Sequence, residues 1–466
     1  MGSLKQSPKK ILLQRADKLG DVILSLPTIY AIHKAFPNAT IDVVTSEIGQ
    51  QILLSQPYIN HIHCVKWKEN QKPSNFFELI SSIKQQNYDT YISLWNNPYM
   101  ALLGFFARIP HRIGDKTNWP LNLLYSTKIK QRWENISYHQ IELNLELLKP
   151  FNIPSILEHT PVFIEKNAEE KIKKIFEESL NATKKTVLIF TATGGSNYPI
   201  PENAVISFID ILQKKHKVNI VVAGQANKKS AFYQYNNESV LNLINSTTLQ
   251  ELTAAIKWSD YYIGPDTGPT HIASFFRKNM IFFSSRKPNP PARWGSLSAN
   301  QRIIRRDYTC KYFCVKKCHP KECFSYLNAD VLMNEFQTLL NNESNTPMDI
   351  KMYHLQHTFR ILRIYKTEID RARDSDIICQ LNNKGLFIKT IVLPKNPLKR
   401  LTTLIHMIIR YNINIIEGQG HKISIACARF YMGAIAVYVK PIVVKQSTTK
   451  HSHLDNHIQY YQKACV

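Results

Sequence analysis

Along the first three hundred residues, short apolar runs alternate with longer stretches whose apolar positions recur at helical spacing. ILLQRA at 11–16 is a compact apolar run. The polar DKLGD follows, then VILSLPTIYAIHKAF, in which apolar residues return every three or four positions. Pro37 and Asn38 close that helix and TIDVVTS at 40–46 reads as the next strand. HIHCVKW at 61–67 and YDTYISLW at 88–95 repeat the strand pattern with helical intervals between them. Three prolines in PFNIPSILEHTPVF, 150–163, mark a linker. The alternation then resumes with TVLIFTA, VNIVVAG, YYIG and NMIFFSS as strands. Strands separated by helices predict parallel sheets covered on both faces, with ligands held beyond the carboxyl ends of the strands. The pattern thus predicts an α/β protein of two facing open domains, 1–150 and 164–344, joined by a linker at 151–163.

After the polar NNESNTPMD, strand-like and helical stretches alternate again in 345–466: FRILRIYK, DSDIICQLNNKGLFIKTIVL, and INIIEGQG leading into HKISIACA. This is an additional α/β segment, read as an incomplete domain or a docking module. His451, His453 and His457 read as a polar terminus rather than a metal site.

Composition changes the picture at one point. An apolar fraction of 44% over 466 residues is ordinary, but a formal charge of +24 is not. It calls for an anionic partner: a phosphorylated substrate, an anionic membrane surface or a nucleic acid. The basic residues are scattered and do not interleave with aromatics as in RNA-binding modules, so nucleic acid is set aside. No run is long enough to span a bilayer, and no apolar secretory core follows the first lysines, so a cytoplasmic protein is expected, resting on a membrane face.

Chemistry concentrates in three loops. YYIGPDTGPTHIASFF, 261–276, reads as strand, tight turn and helix. Gly264 and Gly268 admit close backbone approach, Pro265 and Pro269 stiffen the turn, and amides opening the helix are available to an anion. An ordinary βα turn has the same punctuation; the hydroxyls of Thr267 and Thr270 favour a pyrophosphate site. Thr193, Gly194, Gly195 and Ser196 form a second amide-rich loop, read as a phosphate nest or a simple turn. The third loop holds Asp17, Gly20 and Asp21. Asp21 stands where a helix N-cap belongs, and also where a carboxylate at the crevice rim can take a proton from a hydroxyl nucleophile. Asp17 offers the same chemistry. Arg15, Lys18 and Arg112 are phosphate contacts or solvated cations. His139, three residues before Glu142 on the helix YHQIELNLELL, is structural or faces an acceptor.

These stretches resemble the lipopolysaccharide heptosyltransferases, a family of inverting glycosyltransferases. The resemblance covers roughly residues 9–340. It rests on ILLQRADKLGDVILSLPTIYAIHKAFPNATIDVVT, HQIELNLELL, LINSTTLQELTAAIKWSDYYIGPDTGPTHIASFF and the cysteine-bearing segment after Trp294. It implies a GT-B fold of two Rossmann-like domains and metal-independent transfer from ADP-L-glycero-D-manno-heptose. The implied acceptor is a Kdo or heptose hydroxyl, on Kdo-lipid A or the core oligosaccharide, at the inner membrane. The family's catalytic base falls on Asp21 and its donor contacts on Asp266, Thr267, Gly268 and His271, with the turn around Thr193 facing the donor. Asp17, Lys18, Arg112 and His139 are then candidates for the acceptor side.

Two positions depart from the family pattern. Tyr198, in YPIPEN, stands where a lysine usually precedes a Trp-Pro pair, and Asn227 and Lys228 stand where an acid contacts the nucleoside. Lys184, Lys185, Lys228 and Lys229 are the replacement cations on offer. These departures leave two alternatives: a transferase using another nucleotide sugar, or a non-catalytic scaffold that binds one. Cys310, Cys314, Cys318 and Cys323 supply ligands for a structural zinc, or are free thiols or a labile disulfide. Arg305, Arg306, Lys311, Lys316, Lys317 and Lys321 around them make a basic knob suited to lipid phosphates.

Overall fold

The computed structural model describes residues 7–69, 72–133, 138–156, 158–193, 198–284, 291–298, 300–304, 324 and 327–341, and four strands of the tail. In the first domain the strands are β1 (Lys10–Gln14), β2 (Thr40–Ser46), β3 (His61–Val65), β4 (Thr90–Ser93), β5 (His111–Asp115) and β6 (Thr127–Ile129). Its helices are α1 (Leu19–Ile23), α2 (Leu26–Ala35), α3 (Glu47–Leu53), α4 (Phe76–Gln85), α5 (Pro98–Phe106) and α6 (Gln140–Glu146), with a 3-10 turn at Leu121–Leu124. All six strands run parallel in the order β3-β2-β1-β4-β5-β6. The order reverses between β1 and β4, so the crevice of this sheet opens at their carboxyl ends.

The second domain repeats the scheme. β7 (Lys185–Phe190), β8 (Val218–Gly224), β9 (Val240–Ile244), β10 (Tyr261–Pro265), β11 (Asn279–Phe283) and β12 (Gln301–Ile304) form a parallel sheet ordered β12-β11-β10-β7-β8-β9. Its switch point lies between β7 and β10. The helices are α7 (Lys166–Ser179), α8 (Glu202–Lys215), α9 (Ala231–Gln234), α10 (Leu249–Trp258), α11 (Gly268–Phe275), α12 (Pro291–Trp294) and α13 (Ala329–Asn341). Local chemistry sets several of these boundaries. Pro27 sits in the first turn of α2, where its missing N–H costs nothing. Thr248 and Glu251 close a capping box at the start of α10.

Each strand read from the sequence is present. The pattern missed β5, β6, β9 and β12. Three of these, β6, β9 and β12, pair on one side or border solvent, and short half-exposed strands such as TKI and QRII carry no continuous apolar run.

The two domains meet through apolar helix faces. One core cluster runs from β1 and β2 through Val22 and Ile23 of α1 and Ile52 of α3 to Ala254 and Ala255 of α10 and Ile272 of α11. Gln250 fastens the same seam: its amide donates to the Gln51 carbonyl at 2.5 Å and to Ser55 Oγ at 3.2 Å, and its oxygen accepts from the amide of Glu165, the residue before α7. A separate core under α8 and α13 holds the far face of the second sheet.

The tail contributes β13 (Arg360–Tyr365), β14 (Phe387–Val392), β15 (Ile415–Gly418) and β16 (Ile435–Val437), parallel in the order β14-β13-β15-β16. The strands expected in FRILRIYK, GLFIKTIVL and INIIEGQG are therefore present. Among the described residues, no helix is long and apolar enough to cross a membrane.

Candidate active site

The site is assembled from loops at both switch points. The chain leaving β1 turns through Asp17 and Lys18 into α1; the chain leaving β10 turns through Asp266 and Thr267 into α11. These two turns lie against each other. A methyl group built on Gly20 would stand 3.0 Å from the His271 ring and 3.7 Å from the Gly268 nitrogen, and one built on Gly268 would come within 2.7 Å of the Leu19 side chain. Both positions favour glycine because the side chain of the facing turn, the His271 ring or Leu19, fills the space that a Cβ would take. Gly20, weak as a sequence signal, is therefore as much a part of the site as the GPDTGPTHIA turn.

On the first domain's side, one guanidinium organises the loop. Arg15 has a side chain only 4% exposed. Its Nε and Nη2 donate to the two oxygens of Asp17 at 2.8 and 2.9 Å, Nη2 also donates to Asp21 Oδ1 at 2.6 Å, and Nη1 donates to the Leu94 carbonyl at the end of β4 at 2.7 Å. Arg15 is thus no phosphate contact, because burial and these bonds use it up. Asp21 is not an N-cap: Lys18 occupies that position, and Asp21 lies in the first turn of α1 with its carboxylate on Arg15. At 17% exposure, the Asp21 side chain remains open to the cleft.

Two carboxylates share one cation here. Burial raises the Asp17 carboxyl to about 7, Arg15 opposes the rise and Asp21 adds to it. For Arg15, burial acts downward, but the two acids outweigh it and the guanidinium is held charged.

On the second domain's side, Thr267 is the N-cap residue of α11 in extended backbone geometry and makes no side-chain cap. The amides of Thr270 and His271 bond back to the Thr267 carbonyl. Those of Thr267 and Gly268 make no hydrogen bond among the described residues, and Pro269 has none to offer. His271 is buried, its Nδ1 has no hydrogen-bond partner among the described residues, and burial, with His139 near by, lowers its pKa to about 3. A neutral imidazole at the helix start can donate to an oxyanion or accept from a hydroxyl.

Three other expected residues do different work. Thr270 is fully buried; its hydroxyl donates to the Pro265 carbonyl at 2.6 Å and meets Tyr262 Oη at 3.1 Å, so it locks the turn and does not reach a ligand. His139 caps α6, with Nδ1 accepting from the Ile141 amide and the Glu142 carboxylate accepting from its own amide. Its Nε2 contacts the Gly295 carbonyl at 3.0 Å, which ties the two domains together. Arg112 lies toward the amino end of β5, away from the crevice, and spends its guanidinium on the Ile109, Pro110 and Leu124 carbonyls.

Lys18 is exposed at the cleft edge, and Thr193 is half-buried three residues beyond β7. Gly194, Gly195 and Ser196 lie outside the described residues, as do the four cysteines and the basic knob around them. Tyr198 packs on the second core. Lys184 and Lys185 stand at the amino end of β7, with Lys185 paired to Asp260 at 2.8 Å, so neither can replace the family lysine. Lys228 and Lys229 follow the carboxyl end of β8, on the cleft side, where Asn227 accepts from the Lys229 amide. The sequence pattern also missed Arg293. This buried side chain donates to the Trp133 carbonyl at 3.0 Å and lies 5.3 Å from that ring, a further bond between domains.

Two doubly wound domains with an acid on one lip and a helix start on the other define a GT-B glycosyltransferase. The model of glycosyltransferase family 9 (heptosyltransferase) matches residues 76–324, and the chain belongs to that family. A relative, lipopolysaccharide heptosyltransferase 3 of Escherichia coli, is 23% identical over 271 residues, 56% of this chain and 79% of that protein. A family 9 glycosyl transferase structure from Veillonella parvula superposes with a TM-score of 0.59 at 16% identity, covering 73% of this chain and 99% of that one. E. coli heptosyltransferase WaaC, solved with ADP and with ADP-2-deoxy-2-fluoro heptose, gives 0.54 at 17% identity, covering 71% and 99%.

Proposed function

We propose that the chain moves heptose from ADP-L-glycero-D-manno-heptose to a Kdo or heptose hydroxyl of the lipopolysaccharide inner core, inverting the anomeric centre without a metal. The acceptor oxygen attacks the anomeric carbon from the face opposite the diphosphate, its proton passes to Asp21, and the bond to the β-phosphate oxygen breaks. The amides of Thr267 and Gly268 and the His271 ring meet the charge that gathers on the departing ADP. Asp266 and the turn at Thr193–Ser196 complete the donor side, and Lys18 faces the acceptor. What supports the reading is the approach of the turn that carries Asp21 to His271 at the start of α11. The chain works in the cytoplasm, at the anionic membrane face that carries the acceptor. A structural zinc on Cys310, Cys314, Cys318 and Cys323 belongs to the same proposal, and metal analysis of the purified chain tests it.

The test is transfer from ADP-heptose to Kdo-bearing lipid A, run beside UDP- and GDP-sugars and read by product mass. Asp21→Asn is expected to hold ADP-heptose and lose at least about a hundredfold in transfer, the lower range for a positioned base. Intact turnover removes Asp21 from the role. Nucleotide binding without transfer from any donor would favour a non-catalytic scaffold, the alternative suggested by Tyr198 at the lysine position.

A further inference from the structure

The outer edge of the first domain carries a surface that the transfer reaction does not use. α5 ends in Phe105 and Phe106, 44% and 50% exposed, with ring centroids 5.6 Å apart. Arg112 lies 5.6 Å from the Phe105 ring and donates to the Leu124 carbonyl, so the end of α5 and the 3-10 turn at 121–124 flank one side chain. That turn presents Leu123, 66% exposed, and Trp119, 77% exposed, directly precedes it. Around these stand the exposed cations Arg108, Lys116 and Lys128, the last on edge strand β6. From Pro98 to Trp133 the sole acid is Asp115, which is buried and accepts from Asn96, Thr117 and Gln131. A lysine on an edge strand also blocks strand pairing. That role accounts for Lys128 but not for three aromatic rings and a leucine left in solvent.

We propose that this face, built from the end of α5, the turn at 119–124 and β6, docks on an anionic lipid bilayer. Exposed Trp and Phe beside cations suit the headgroup layer, where the rings enter the acyl boundary and the charges meet lipid phosphates. An acid-free cationic rim is complementary to such a surface and to little else on a cytosolic path. The inference rests on the membrane-borne acceptor of the functional reading. It gives the first domain its own membrane contact, separate from the cleft.

The test is co-sedimentation of the full chain with vesicles of phosphatidylethanolamine and phosphatidylglycerol, beside vesicles of phosphatidylcholine alone. Binding is expected only to the anionic vesicles and should weaken with salt. Arg108→Gln/Lys116→Gln/Lys128→Gln should weaken it about a hundredfold, from roughly fivefold per charge. Phe106→Ser/Trp119→Ser should lower it at high and low salt alike. Both variants should transfer heptose to a soluble, deacylated acceptor as the parent does, so the fate of the transferase reading is scored separately. Unchanged vesicle binding in both variants overturns the proposal. So does an aromatic variant that turns a sedimenting dimer into a monomer without loss of vesicle binding, because a second copy of the chain then covers the face.

Discussion

Arg15 shows how one residue can set the state of a site without touching substrate. Ion pairs on exposed α7, such as Lys166 with Glu170 at 3.7 Å, contribute a few tenths of a kcal/mol at most. Removing a buried partner is another matter. Arg15→Met strands two carboxylates in a buried loop and should cost about 3–5 kcal/mol, read as a lowered urea midpoint. Adding Asp17→Asn should recover part of it. The pH response of the two domains separates in the same way. An unfolded aspartate titrates near 3.8, whereas Asp17 keeps its proton up to about 7. The native state therefore binds the extra proton in between, and stability falls as pH rises through that window. His271 has the opposite sign: unfolded it takes a proton below 6.5, while in the fold it stays neutral down to about 3, so stability is lost as pH falls. Asp17→Asn should flatten the decline on the alkaline side, and His271→Gln the decline on the acid side, in melting temperatures measured from pH 4 to 8.

At the level of elements, the site depends on two helix starts that pack glycine against side chain, Gly20 against His271 and Gly268 against Leu19. Gly268→Ala forces a methyl into the Leu19 side chain at 2.7 Å. Such overpacking costs about 1–3 kcal/mol, borne at the contact that closes the cleft. Transfer should therefore drop more than global stability, and Leu19→Ala in the same chain should restore part of the rate. Failure of the second substitution to help would mean that α11 itself, not its contact with α1, is sensitive. The elements legible beforehand were those with their own periodic signal. β1, β2, β8 and β10 are buried on most of their length, so burial wrote nearly continuous apolar runs into them, whereas α2 buries one face and shows helical spacing. β6 and β12 answer to one neighbour and to solvent, and their polar sequences left no such trace.

At the scale of the molecule, the chain divides into two compact units, with the two-domain enzyme in the first and nearly all of the tail in the second. Solved relatives are covered almost end to end by under three quarters of this chain. A chain ending after Met348 is therefore expected to fold and to transfer sugar at a rate within a few-fold of the full protein. Loss of folding in that variant would show that the tail supports the second domain. By itself the sequence determined the alternation of strands and helices and the two parallel sheets that it builds. That pattern is local, written by periodicity, proline and glycine within a few residues. What each loop side chain bonds to was decided only in three dimensions. Arg15 and Arg112 look alike in sequence, yet one is enclosed by two carboxylates and the other by carbonyls at the far end of the sheet. Thr267 and Thr270 share a turn and both donate to the Pro265 carbonyl, yet only Thr270 is fully buried and also meets Tyr262 Oη. The carboxylates on Arg15 and the carbonyls on Arg112 and Thr270 come from nearby in the chain, but only the folded turns and strand ends bring them to those side chains, and the Leu94 carbonyl on Arg15 comes from the end of another strand.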